Sequence, residues 1–142
     1  ILLMAWALSN TTEVLRTADY FVSLLGDKIH PGFLPVLIFI ISSATSFSTG
    51  TSWGTMALLI PSSVELAYQM GGERAMLVAM AAVLDGAIFG DHCSPISDTT
   101  AVSSIASGCD LLEHVRTQMP YALTGGALTL VLYVITSLIM VG

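Results

Sequence analysis

The stretch RAMLVAMAAVLDGAIFGDHCSPISDTTAVSSIAS, residues 74–107, reads as a helix that has to break. As one continuous helix it would be about 51 Å long, against roughly 30 Å for the hydrocarbon core of a bilayer. The interruption falls at GDHCSPIS, because Pro95 removes a backbone donor and disfavours a helical Ser94. Asp98 then reads as the N-cap of a short second helix, TTAVSSIASG, closed by Gly108. The chain's densest group of polar side chains therefore sits where an apolar helix stops.

The same arithmetic applies upstream. Residues 32–70 would span about 58 Å as one helix, so this block is a broken helix or a helical hairpin. Its weak point is STGTSWGT, residues 48–55, where two glycines and a run of hydroxyl side chains compete with helix geometry. Pro61 is expected to kink the second limb. Downstream, PYALTGGALTLVLYVITSLIMV at 120–141 carries no charge and is long enough to span, with Pro120 suited to a first helical turn. Residues 110–118, DLLEHVRTQ, are charged enough for the water interface. At the other end, 1–9 reads as the tail of a span and 10–30, with its alternating charges, as an interfacial segment.

Composition agrees with a membrane chain. It is 54% hydrophobic and 10% charged, where a soluble domain carries about a quarter of its residues as charges. The formal charge is −6, yet the acids stand singly between apolar runs, and no basic patch exists to hold nucleic acid. Cys93 and Cys109 form no CxxC pair and do not indicate a redox compartment. The chain opens inside an apolar run without an initiator Met or a signal-peptide pattern, as expected of a piece of a longer protein. Arg16, Lys28, Arg74 and Arg116 lie in separate segments and show no positive-inside bias.

Non-helical backbone at membrane depth is tolerated only inside protein or beside a wet cavity, and secondary transporters use such breaks to hold ions and substrates. Asp91, His92 and Asp98, with Ser94, Ser97, Thr99 and Thr100, supply hard oxygen donors suited to an alkali or alkaline-earth cation. The competing reading is a polar loop at the membrane surface, with Asp98 only a cap. A zinc site on Asp91, His92 and Cys93 is weaker, since consecutive residues rarely converge on one metal. Asp85 follows a long apolar run and falls near the midplane. A carboxylate there costs about 3 kcal/mol unless it faces a cavity, is protonated or pairs with a cation elsewhere in the protein. It suits a group that alternates between a proton and a cation.

Residues 42–55 hold nine hydroxyl side chains in fourteen, which fits an ion-coordinating break or close helix packing. Ala82, Gly86 and Gly90 read as a packing stripe. Trp53 fits a plug over a site or an interfacial anchor. Glu65, Glu73, Asp110, Glu113 and His114 fall near helix ends, where solvated or capping roles are expected. His30 and the methionines read as boundary and filler residues.

Three strings, TSFSTGTSWGT at 45–55, GAIFGDHCSPISDTT at 86–100 and SGCDLLEHVRTQMPYAL at 107–123, together resemble the NhaC-type sodium/proton antiporter family, over roughly 32–125. The resemblance implies an all-α, polytopic membrane transporter with inverted repeats and interrupted or hairpin helices around a central site. This chain would be a fragment of its second half. It implies sodium/proton exchange, with some relatives coupling these ions to organic acids or other solutes. A site role carries over to Thr51, Ser52, Trp53, Gly54, Asp91, His92, Ser94, Asp98, Thr99 and Thr100.

The expectation is thus a multi-pass protein of the cytoplasmic membrane in which Asp91 and Asp98, with hydroxyls from both breaks, bind sodium, while Asp85 or Asp91 exchanges it for a proton. The partners are membrane lipid, the two ions and the remainder of the transporter chain, without a cofactor, and a homo-oligomer is compatible with the sequence. The alternatives are an exchanger or symporter of an organic or amino acid, with the half-helix N-terminus near Asp98 and Thr99 facing a substrate carboxylate, and a membrane-embedded metal-dependent enzyme or structural subunit. Against an enzyme, no general acid and base accompany a nucleophile, and no HExxH-like motif is present.

Overall fold

The computed structural model describes Val14 and residues 31–141, so the expectations for 1–9, 10–30 and His30 lie outside the described residues. Those described are helical and contain no strand. A 3-10 turn, Pro31–Phe33, leads into α1, Leu34–Thr49. Then come α2, Ser52–Cys93, the short α3, Asp98–Ser107, and α4, Leu111–Val141.

Helix α1 ends at Gly50, whose φ of 67° is the left-handed cap and whose N–H closes on Ser46 O at 2.8 Å. One residue later Thr51 caps α2, its hydroxyl accepting from Gly54 N. So short a connection folds the next limb back along α1, and Leu34 and Ala67, at the far ends of the two, share one apolar core. Residues 34–71 form a helical hairpin with Gly50 and Thr51 at its tip. At Gly72 the backbone leaves helical geometry, with φ 70° and ψ −160°, and divides α2 into limbs 52–71 and 73–93. The kink expected at Pro61 is displaced to Gly72: the proline is carried inside α2, whereas the Gly72 dihedrals are open to glycine almost alone. Each limb is about 30 Å long, one bilayer core.

The second limb runs parallel to α1. Ser42 donates to Val83 O at 2.8 Å and Ser46 to Ala87 O at 2.6 Å, so both helices advance by one turn between the two bonds. Gly86 and Gly90 permit this approach. A Cβ at Gly86 would sit 2.5 Å from Phe39 O, and one at Gly90 would fall on Ser43 O. Small residues four apart are the means by which apolar helices bring their backbones together.

Helix α4 runs antiparallel to that limb. Gln118 reaches His92 O, Gly126 packs under the Phe89 ring and Tyr133 reaches Asp85. Phe39 stacks on Phe89 at 5.7 Å and meets the tilted Tyr133 ring at 5.9 Å between ring centroids. The helix starts at Leu111 rather than at Pro120, so 110–118 and 120–141 belong to one element. Asp110 is the reason: its carboxylate accepts from Leu112 N at 2.9 Å and Glu113 N at 3.4 Å, which sets the helix start nine residues ahead of the proline. Both α2 and α4 are long and apolar enough to cross a membrane.

Candidate functional site

The parallel packing of α1 and the 73–93 limb brings the two polar strings to the same end of the bundle. Ser94 Oγ donates to Phe47 O at 2.8 Å, satisfying one of the carbonyls left open at the end of α1. In return Gly50 O accepts from Asp98 N at 3.3 Å, satisfying a donor left open at the start of α3. Ile96 closes on Gly50, where a Cβ would meet the Ile96 carbonyl. Each interruption thus caps the other. A backbone opening that costs several kcal/mol per unpaired group in lipid is thereby reduced to a compact junction.

Asp91 lies within this junction, 2% exposed. Its Oδ2 accepts from Thr99 Oγ1 at 2.5 Å, and Thr99 Oγ1 lies 2.9 Å from Ser97 Oγ. Its Oδ1 is buried and, among the described residues, has no hydrogen-bond partner. Since an unsatisfied buried charged oxygen is expensive, this oxygen is the point at which the junction is chemically incomplete. Ser94, Ser97 and Thr100 are buried as well.

The remaining residues separate into struts and outward-facing groups. Ser94 is engaged in capping α1, and Thr51 in capping α2, with its carbonyl also taking Thr55 Oγ1 at 2.9 Å. Ser52 is buried, Gly54 supplies the capped N–H, and Trp53 is 70% exposed. His92 points away from Asp91, its Nδ1 paired with Ile88 O at 2.8 Å, because consecutive helical residues diverge by about 100°. Asp98 is exposed, and its Oδ1 accepts from Thr99 N. The N-cap of α3 is Ser97 rather than Asp98: Ser97 Oγ accepts from Thr100 N at 3.2 Å, and Asp98 takes the first helical position, where its charge favours the helix dipole.

Asp85 lies six residues, about 9 Å, before Asp91 along α2, is exposed, and accepts from Tyr133 OH at 2.6 Å. Tyr133 itself is buried. Sequence reasoning missed this partner, since neither tyrosine of the uncharged span, Tyr121 or Tyr133, carries a local signal. It also left Ser97 as a flanking hydroxyl, although a serine one residue before an aspartate competes equally for the cap.

The junction lies beside α4 near the N-terminal part of that helix. Gln118 marks its level on α4, seven residues or about 10 Å from the N-terminus of that helix, and the intervening turn carries the exposed Glu113 and Arg116.

A profile of the Na+/H+ antiporter family matches residues 1–138. An uncharacterised protein of Haemophilus influenzae is 41% identical over 95% of this chain and 26% of its own length. The malate-2H(+)/Na(+)-lactate antiporter of Bacillus subtilis is 34% identical over 75% of this chain and 22% of its own. The Na(+)/H(+) antiporter NhaC of Alkalihalophilus pseudofirmus is 29% identical over 94% and 27%. The chain spans about a quarter of the length of these relatives. No solved structure matches it.

Proposed function

Since the chain belongs to the Na+/H+ antiporter family, we propose that it forms part of a multi-pass transporter of the cytoplasmic membrane that exchanges sodium for protons, and that the Asp91 junction is its ion site. The observation that carries this reading is an Asp91 Oδ1 with no partner among the described residues, on a carboxylate that is 2% exposed and held where two helix interruptions meet. A carboxylate oxygen among neutral hydroxyls suits a singly charged hard cation. The same oxygen accepts either sodium or a proton but not both, and that exclusion makes the exchange obligatory. Asp98, at the start of α3, and Asp85, paired with Tyr133, face away from the junction core. In this reading they complete the ion path together with the remainder of the transporter.

A second reading, exchange of an organic acid, draws on the printed activity of the Bacillus subtilis relative. The N-terminus of α3 gives it little support. The N–H groups of Asp98, Thr99, Thr100 and Ala101 are taken by Gly50 O, Asp98 Oδ1, Ser97 Oγ and Ser97 O, so none is left to receive a substrate carboxylate. An organic anion would have to be bound by other parts of the protein.

The test is sodium-driven pH change in vesicles that hold the full-length transporter. Asp91→Asn removes the charge at nearly constant volume and is expected to abolish the response. Undiminished exchange would take Asp91 out of the mechanism.

A further inference from the structure

The two oxygens of Asp91 are not equivalent, and the hydrogen bonds that distinguish them have one direction. Thr100 N–H donates to Ser97 Oγ. The Thr99 hydroxyl hydrogen is directed at Asp91 Oδ2, so the hydrogen between Ser97 and Thr99 has to come from Ser97. The order is therefore Thr100 N–H to Ser97 O–H to Thr99 O–H to Asp91 Oδ2, and every donor in it is used. At its head stands the N-terminus of α3, where the partial positive charge of the helix polarises the hydroxyls in series.

The geometry points to Ser97 as a positioning residue for ion binding, which acts through Thr99 to hold the Asp91 carboxylate in one orientation and keep Oδ1 for the transported cation. Ser97 itself does not touch the ion. The residue is 1% exposed and both bonds of its hydroxyl are to the relay. With Oδ2 tied down, the carboxylate does not swing about its terminal torsion, which is otherwise broad. Such preorganisation moves the cost of ordering the site from the binding step to folding. This inference rests on the reading of Asp91 as the ion-binding carboxylate.

The experiment measures the sodium dependence of exchange by the full-length transporter in vesicles. Glycine is accepted at an N-cap nearly as well as serine, so Ser97→Gly keeps the start of α3 while deleting the relay hydroxyl. Thr99→Val deletes the donor to Oδ2, and Thr99→Ser restores it. Ser97→Gly and Thr99→Val are expected to raise the half-saturating sodium concentration roughly five- to tenfold, with the maximal rate kept within about twofold. Thr99→Ser is expected to match the parent. If Ser97→Gly and Thr99→Val keep the parental sodium dependence, or lose only maximal rate, while Asp91→Asn is inactive, the relay is overturned and the ion site stands. If Asp91→Asn still exchanges, the reading of the site fails and the relay fails with it.

Discussion

Replacing Gly86 or Gly90 by alanine tests the packing that brings the two interruptions together. A Cβ at Gly86 would lie 2.5 Å from Phe39 O, whereas ordinary contact begins at 3.4 Å, so α1 has to retreat by about 0.9 Å. The same retreat stretches the Ser42 bond to Val83 O from 2.8 Å to about 3.7 Å, and the Ser46 bond to Ala87 O from 2.6 Å to about 3.5 Å, beyond useful hydrogen-bond length. Two interhelical bonds of about 0.6 kcal/mol each are lost. Overpacking adds about 1–3 kcal/mol. Alanine returns about 1 kcal/mol of helix propensity. The balance is a loss of about 2 kcal/mol per site. The assay is the midpoint of thermal unfolding of the full-length protein in detergent, with Gly125→Ala as reference, since no atom of the described residues lies within 4 Å of a Cβ there. Gly86→Ala and Gly90→Ala are expected to lower the midpoint by about 2–4 °C and Gly125→Ala to hold or raise it. If the first two behave like Gly125→Ala, the close parallel approach of α1 to the 73–93 limb is wrong.

Gly72→Ala places a side chain at φ 70°, ψ −160°, and is expected to cost about 1–3 kcal/mol, while Gly71→Ala, within regular helix, costs nothing; the same unfolding assay distinguishes them. Tyr133→Phe removes the hydroxyl that donates to Asp85, so the effects of Tyr133→Phe and Asp85→Asn on exchange rate should be non-additive, and strict additivity would separate the two residues. Cys93 is buried at the end of α2 and is expected to resist maleimide labelling of the native full-length protein, becoming reactive only on denaturation. Asp98→Asn leaves the Ser97 cap and the Asp91 relay in place, so it should retain measurable exchange where Asp91→Asn retains none.

Helix length and backbone chemistry made the interruptions legible. Blocks of 39 and 34 residues exceed a bilayer, and the polar strings with Gly50 and Pro95 mark where each has to open. The meeting of those openings was not legible, because it depends on the register of α1 against the 73–93 limb. That register is set by Gly86 and Gly90, whose spacing announces close packing without naming the partner. Local choices between equivalent residues were also misread. Ser97 and Asp98 are both good caps, and the backbone turns one residue earlier than the sequence suggests. Pro120 looks like a helix start, but Asp110 opens α4 and the helix continues through the proline. Pro61 looks like a kink, but Gly72 supplies it. The prominence of Asp91 was visible as composition; the inequality of its two oxygens required the fold, since Thr99 and Ser97 reach it only after the chain turns at Pro95.

Equilibrium binding of radioactive sodium to the purified full-length transporter, compared with its Asp91→Asn variant at matched protein concentration and verified folding, tests the central claim most directly. The account predicts saturable binding by the parent and its loss in the variant. Equal saturable binding by both would mean that the sheltered carboxylate at the meeting of the two helix breaks does not hold the ion.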